Sequence, residues 1–414
     1  MDKRLDASFD LMRKTGALWR ILGVMTLAIS VTVGGLTVAP SYAVPSYPTW
    51  SEVQAAKKNV AKKKALIARF NAILAEQNKE EDKLSNAALI LGEKYNQAKQ
   101  ALNVVAQKVA TLQAQADVAN AQANSAKSRL AQIASQMYRT GASGSAVSLF
   151  LQAGKADNLL YQLGAKDRLA KQNDTTYRKA VEKQRYAQAV TDQLNVAKVE
   201  MAKKAKAAKA VYDQAAGVAN ELANKIAANK AAQTTFYKQL AVLQKTSADL
   251  ERRRAEGIAA ENRQNNGNQS SVLDAPSLYH VDDADPDVVD KVLRFARAQI
   301  GDTYVFGAAG MTYWDCSGLT MRTYSSVGIY ISWHSVVAQF RMAAQKHQLV
   351  PLKDRQPGDL IFYTRSGAFD GDKYHIAIYS GGNRMIEAPR PGAYVREVPM
   401  RWGELFPYAA RPSA

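Results

Sequence analysis

Proline is absent from most of this 414-residue chain, and cysteine from nearly all of it. Twelve prolines are present, yet none falls between Pro48 and Pro276. So long a tract without the residue that breaks the helical hydrogen-bond ladder favours long helices. The single cysteine, Cys316, excludes an internal disulfide, a disulfide-stapled small scaffold and a zinc ribbon. Histidine is scarce as well: there are four, with no His-Glu-x-x-His or other metal-ligand spacing, so no metal or cofactor is expected. Aromatics supply 8% of the chain against 47% hydrophobic residues in all. Much of the remainder is alanine, so a globular core cannot run the whole length and part of the chain is fibrous.

Residues 1–43 read as a targeting segment. Lys3, Arg4, Arg13, Lys14 and Arg20 precede an apolar run from Ile21 to Val38, which ends in Ala39-Pro40-Ser41-Tyr42-Ala43. A basic start, an apolar middle and a small-x-small end form a signal peptide cleaved after Ala43. The run is also just long enough to span a bilayer, so an uncleaved anchor is the competing reading; Gly34, Gly35 and the cleavage site favour removal. The expected location is therefore outside the cytoplasmic membrane, in the cell envelope. There an unpaired thiol is an oxidation liability, and Cys316 is either a reactive group or a small buried hydrophobe.

Residues 44–263 read as a coiled-coil hairpin. From Leu84 the apolar positions step alternately by four and three through Ala88, Leu91, Tyr95, Ala98, Leu102, Val105, Val109, Leu112, Ala116, Ala119, Ala123, Ala126, Leu130, Ile133 and Met137. That is a heptad seam. It breaks at Thr140-Gly141-Ala142-Ser143-Gly144-Ser145, so the hinge is expected at about 140–165, and a second helix runs from about Lys166 to Arg263. At 1.5 Å per residue each arm would be about 130 Å long. The rod carries 35 Lys+Arg against 19 Asp+Glu. Export removes nucleic acid as a partner, which leaves attraction to an anionic envelope polymer or membrane surface, or plain solubility. Residues 264–286, polar and then acidic, read as a tether.

Residues 287–414 regain aromatics, glycine and proline, and mix helical with strand-like periods, the pattern of a compact α+β domain. Residues 287–300 predict an amphipathic helix ending at Gly301. Asp315-Cys316-Ser317-Gly318-Leu319 opens another, and a thiol at a helix N-terminus faces the positive end of the dipole, which lowers its pKa. Tyr374 to Tyr379 alternates as a strand, and Gly381-Gly382-Asn383 turns it into a second strand, Arg384 to Ala388. With a three-residue loop, Ser380 pairs with Arg384 and Ala377 with Glu387, so His375 lies diagonal to Glu387 on one face. Cys316 as nucleophile, His375 as base and Glu387 as orienting carboxylate follow the papain-like order. A strand histidine also serves plain structure, and the spacing alone leaves both readings open.

The same residues resemble the NlpC-type cysteine endopeptidases of bacterial peptidoglycan. The likeness spans about residues 288–410 and rests on Gly301 to Gly307, Asp315-Cys316-Ser317-Gly318-Leu319, Gln356 to Phe362, His375 to Tyr379 and Met385 to Pro389. It implies a papain-like fold. It also implies attack by Cys316 on a stem-peptide amide, typically between the γ-carboxyl of D-glutamate and diaminopimelate, with His375 as base and Glu387 as the third residue. Tyr304, Asp315 and Ser317 would line the substrate site, and the Cys316 N–H would help form the oxyanion hole. His334 stands where many members carry an arginine or other polar residue, which leaves it either a substrate-binding group or a packing residue. Leader, long coiled coil and C-terminal hydrolase together resemble the Rip-type division hydrolases of actinobacteria. That resemblance implies septal wall cutting, docking of the rod on an FtsEX-type membrane complex, and a catalytic domain held inactive until docking. The alternative from another class is a non-catalytic envelope scaffold that binds wall peptide without cutting it.

Overall fold

A computed structural model of the chain describes residues 48–139, 156–265 and 272–414. The expected leader and part of the expected hinge, residues 140–155, lie outside the described residues. Among the described residues no helix is long and apolar enough to cross a membrane.

The proline-free tract is helical. A short helix, α1 (Trp50–Lys57), starts at a capping box in which Thr49 and Glu52 satisfy each other's backbone N–H groups. Then come α2 (Val60–Arg139) and α3 (Ala156–Gln244), which are 80 and 89 residues long. Their side-chain contacts fix an antiparallel pairing. Lys183 meets Gln122, Lys198 meets Gln113, Asn229 meets Glu81 and Gln233 meets Gln77, so one helix descends as the other ascends. Every described position of the seam on α2 is buried or half-buried, and Leu112, Ala116, Val190, Leu194 and Ala197 form one apolar cluster.

Two features of the expected rod differ. The second arm is interrupted at 245–247, where Lys245 takes a positive φ of 58°, and α4 (Ala248–Asn265) then folds back against α3. The expected tether is also not free, because Val272, Leu273, Ala275, Tyr279 and Val281 pack onto the core of the C-terminal domain. Tyr279 accepts a hydrogen bond from the Leu349 N–H at 3.0 Å, and Arg411 donates to the Asp282 carbonyl at 3.2 Å. The scattered apolar residues of this polar stretch cover sheet and helix surface that water would otherwise meet.

The C-terminal domain starts with α5 (Pro286–Ala298), capped by Asp285 and carrying Pro286 in its first turn. Three two-residue strands follow, β1 (Thr303–Tyr304), β2 (Ala309–Gly310) and β3 (Tyr313–Trp314). Two helices, α6 (Cys316–Ser325) and α7 (Val336–Gln345), lead into a six-stranded sheet. Its strands are β4 (Leu349–Pro351), β5 (Leu360–Thr364), β6 (Lys373–Gly381), β7 (Arg384–Glu387), β8 (Arg396–Pro399) and β9 (Leu405–Ala410). All neighbours are antiparallel, in the order β4-β9-β5-β6-β7-β8. Leu319, Tyr324, Val336 and Phe340 from the helices meet Ile361, Ile376 and Ile378 from the sheet in one buried core. Helices followed by a strand-rich domain with a cysteine-bearing helix on the sheet is the papain-like α+β arrangement expected from the sequence.

The β6–β7 hairpin keeps the expected register away from its turn, with Ile378 opposite Ile386 and Tyr379 opposite Met385. At the turn it differs: Gly381, not Ser380, pairs with Arg384, and the loop is Gly382-Asn383. Both loop residues have φ of 57°, the left-handed pair that a two-residue hairpin requires, and the extra residue is taken up as a bulge.

The rod lies on this domain. Leu89 of α2 belongs to the same buried cluster as Cys316 and Trp314, and Tyr95, Tyr212 and Phe306 form a three-ring contact. Gly92 is needed there, since a Cβ would stand 2.9 Å from the Phe306 ring. Within the domain, a Cβ on Gly318 would lie 2.2 Å from the Ala308 carbonyl oxygen. Backbone cannot yield as a side-chain tip can, so Gly318→Ala is expected to cost about 3 kcal/mol or more of unfolding free energy, measurable by chemical denaturation.

Candidate active site

Asp315 precedes α6 in extended backbone, and its carboxylate accepts from the Gly318 N–H at 2.7 Å as the N-cap. That cap places Cys316 at the first helical position. The carboxylate also bonds His334 Nε2 at 2.7 Å, the Gly307 N–H at 3.1 Å and the Ser317 hydroxyl at 3.3 Å. Burial by itself would raise the proton affinity of Asp315; the neighbouring His334 and these donors outweigh it and hold the carboxyl below its usual range. Tyr304 is buried close by, and burial first, with the neighbouring Cys316 and Asp315 adding to it, pushes its phenol well up. The four residues expected to line a substrate site, Tyr304, Asp315, Ser317 and His334, therefore surround the start of α6.

His375 and Glu387 both lie in the sheet with no exposed side-chain surface, joined by a 2.8 Å contact between Nε2 and Oε2. An ionised carboxylate only accepts, so Nε2 carries the hydrogen. Nδ1 is buried and has no hydrogen-bond partner among the described residues, so the imidazole presents a bare nitrogen. Burial depresses the proton affinity of His375, against the pull of Glu387. Cys316 shares one buried core with Ile376 and Ala377, the residues of β6 next to His375, and the backbone N–H groups of Ile376 and Ser317 favour its ionised form.

One expectation is corrected. The helix N-terminus does not lower the Cys316 proton affinity in this state: burial first, then the charges of Asp315 and Glu93, push the thiol well above its ordinary value, and the two N–H groups only partly oppose them. Glu93 comes from the rod. It accepts from the Ser335 hydroxyl at 2.5 Å and the Val336 and Val337 N–H groups at 2.8 and 3.1 Å, capping α7 from outside the domain. One turn on, the Asn96 amide donates to Asp315 Oδ2 at 3.2 Å and to Ser317 Oγ at 3.4 Å.

Sequence reasoning missed Glu93 and Asn96, which stand off the heptad seam and read as solvated rod residues. A glycine in mid-helix, Gly92, was the available signal, because it costs helix stability unless something approaches closely. It also missed Gln339, which joins Thr320 Oγ1, the Ser317 carbonyl and the Trp333 carbonyl and so ties α7 to α6. Arg396 and Arg401, both bonded to Glu387, were missed as well.

A buried cysteine at a helix start and a buried His375–Glu387 pair on the adjoining antiparallel sheet are arranged as the parts of a papain-like domain. The comparisons agree: residues 301–403 match the NlpC/P60 family, so the chain carries an NlpC/P60 domain at its C-terminal end. Over 133 residues the chain is 32% identical to the peptidoglycan endopeptidase RipA of Mycobacterium tuberculosis, covering 29% of this chain and 26% of that one. It is 28% identical over 146 residues to the probable endopeptidase p60 of Listeria grayi, covering 35% and 24%. The solved structure of the peptidoglycan hydrolase RipB from Mycobacterium tuberculosis matches at 26% identity with a TM-score of 0.27, covering 40% of this chain and 80% of that one. The chain thus spans about a quarter of the length of these curated relatives.

Asp315→Asn keeps the cap's shape and removes its charge. Because the folded carboxyl holds its proton more weakly than a free aspartate, the charge stabilises the fold above about pH 4 and ceases to do so as pH falls further. Thermal melts are expected to show the variant about 1–2 kcal/mol less stable at pH 7, with the gap closing below about pH 4.

Proposed function

We propose that this protein is an exported peptidoglycan endopeptidase of the NlpC/P60 type, acting on the amide between the γ-carboxyl of D-glutamate and diaminopimelate in wall stem peptides. The observation that carries the reading is the placement of Cys316, at the start of α6, in one buried core with the β6 residues that follow His375, whose Nε2 is taken by Glu387 and whose Nδ1 has no partner among the described residues. In the proposed reaction Nδ1 takes the thiol proton, and the sulfur attacks the amide carbon. The Cys316 N–H at the start of α6 supports the developing oxyanion. His375 then protonates the leaving amine of diaminopimelate, and water, activated by the same imidazole, hydrolyses the thioester. Tyr304, Asp315, Ser317 and His334 would receive the substrate's amino and carboxyl groups. The names of the relatives, which are wall hydrolases, support this substrate class, and the leader pattern of residues 1–43 supports export to the envelope.

The rod is proposed to hold the domain inactive. The Asn96 amide sits on Asp315 and Ser317, where a substrate amine would bind, and Glu93 adds negative charge beside the thiol. Lifting α2 away would open the substrate site and remove one of the two charges that keep the thiol protonated. A division-linked membrane complex of the FtsEX type, at the septum, is the proposed agent of that displacement.

The test is mass spectrometry of muropeptides incubated with the full chain, its Glu93→Ala/Asn96→Ala variant, and that variant with Cys316→Ala. Cleavage between D-glutamate and diaminopimelate is expected to rise about tenfold or more in the double variant, the effect of relieving roughly 1.4 kcal/mol of closure, and to vanish with Cys316→Ala. Products that persist without Cys316 would refute the mechanism. Binding of muropeptide without any cleavage would favour the scaffold reading.

A further inference from the structure

Glu387 is fully buried, yet it is the meeting point of three cationic or protonatable side chains. His375 takes Oε2 at 2.8 Å. Arg396, its cross-strand neighbour on β8, places Nε and Nη2 at 3.0 and 2.8 Å from Oε1. Arg401, just beyond β8, reaches Oε1 at 2.9 Å and Oε2 at 2.8 Å through one nitrogen, Nη1. These contacts saturate the carboxylate and fix its plane.

The charge count is informative. A buried carboxylate facing a lone imidazole draws a proton onto the ring, since the ion pair then cancels. Here two guanidinium groups already outweigh the single negative charge, so a proton on His375 would add a third positive charge to one buried cluster. Such a cluster keeps the imidazole neutral, and a neutral imidazole is what a thiol needs as base. The uncharged neighbours are Tyr363 on β5 and Tyr374 on β6, phenols pushed up by burial, and Cys316, a protonated thiol in this state. Asp82 on α2, Glu404 and Arg390 line the same cavity as the two arginines without touching Glu387, and Glu404 accepts from Tyr374 and Asn86 instead.

We propose that Arg396 and Arg401 are positioning residues of the reaction: they fix Glu387 as an ionised, oriented acceptor and so hold His375 as the neutral Nε2–H tautomer whose Nδ1 takes the Cys316 proton. The proposal rests on the reading of His375 as the base. It assigns the arginines a task that a salt bridge serving stability alone would not have. The electrostatics agree in direction. Burial would raise the Glu387 carboxyl, and the two arginines reverse this and hold it well below the carboxylate range; burial first, with both arginines adding to it, depresses His375 against the pull of Glu387.

The experiment is a pH titration of ¹⁵N-histidine resonances in the full chain, where only four histidines need assignment. Wild-type His375 is expected to be neutral and Nε2-protonated at pH 7. Arg396→Gln and Arg401→Gln are each expected to move its midpoint up by about one pH unit, a tenfold gain in proton affinity, while Arg→Lys at either position restores it to within about 0.3. Arg396 is 43% exposed, and both arginines line a cavity of about 360 Å³ that water can enter, so neither replacement leaves a dry void. A His375 that is already charged at pH 7 in wild type, or a midpoint unmoved in the folded Arg396→Gln protein, would overturn the proposal. The readout is separate from turnover. A shifted midpoint in a protein that never cleaves wall peptide would sink the endopeptidase reading and leave the arginine clamp standing.

Discussion

The charge around one buried sulfur governs what this molecule can do. A thiol is a nucleophile only after it loses its proton, and burial alone resists that loss. Asp315 and Glu93 add to the resistance, while the N–H groups of Ile376 and Ser317 oppose it. Asp315 cannot be dispensed with, because it caps α6 and anchors His334. Glu93 can be, because it belongs to the rod. The two carboxylates thus have different standing: one is built into the site, and the other leaves with whatever removes α2.

The same separation makes displacement of the rod chemically reasonable. Glu93 caps the first turn of α7, and when it departs the Val336 and Val337 amides turn to water as the free ends of surface helices do. The contacts that leave with it are an aromatic cluster around Phe306, the packing of Leu89, and polar pairs such as Asn86 with Glu404 and Arg390 with Glu81. Polar pairs at such a boundary exchange readily for water, whereas a wholly apolar seam would not. The groups that hold Glu387, namely His375, Arg396 and Arg401, all belong to the domain and not to the rod.

The sequence made legible what depends on local pattern. The heptad steps located the long helices, the Asp-Cys-Ser-Gly run located the start of α6, and the alternation around His375 located β6 and its partner. The hairpin register held because inward and outward faces cannot be exchanged, and it erred only at the turn, where Gly381-Gly382-Asn383 leaves two- and three-residue loops equally open. What the sequence hid depends on long-range contact. The arginines fall 9 and 14 residues beyond Glu387 and carry no motif. Glu93 and Asn96 lie more than 200 positions from the domain residues they touch, and nothing in the helical pattern sets them apart from the rod's solvated polar residues. The expected fall in thiol proton affinity failed mainly through burial, which a local pattern does not show, with the charges of Asp315 and the rod's Glu93 adding to it. Residues 264–286 read as a tether because composition does not say what surface stands nearby, and of these Val272, Leu273, Ala275, Tyr279 and Val281 pack onto the domain.

Because Cys316 is the only cysteine, its reaction with iodoacetamide reports on this site alone. The most direct measurement is the alkylation rate of the full chain against the Glu93→Ala/Asn96→Ala variant, from pH 6 to 9. Removing the rod's carboxylate and amide is expected to speed the reaction by roughly tenfold or more and to move its pH midpoint downward, because one of the charges holding the proton is gone. Equal rates and equal midpoints in the two proteins would contradict control of the thiol by the rod.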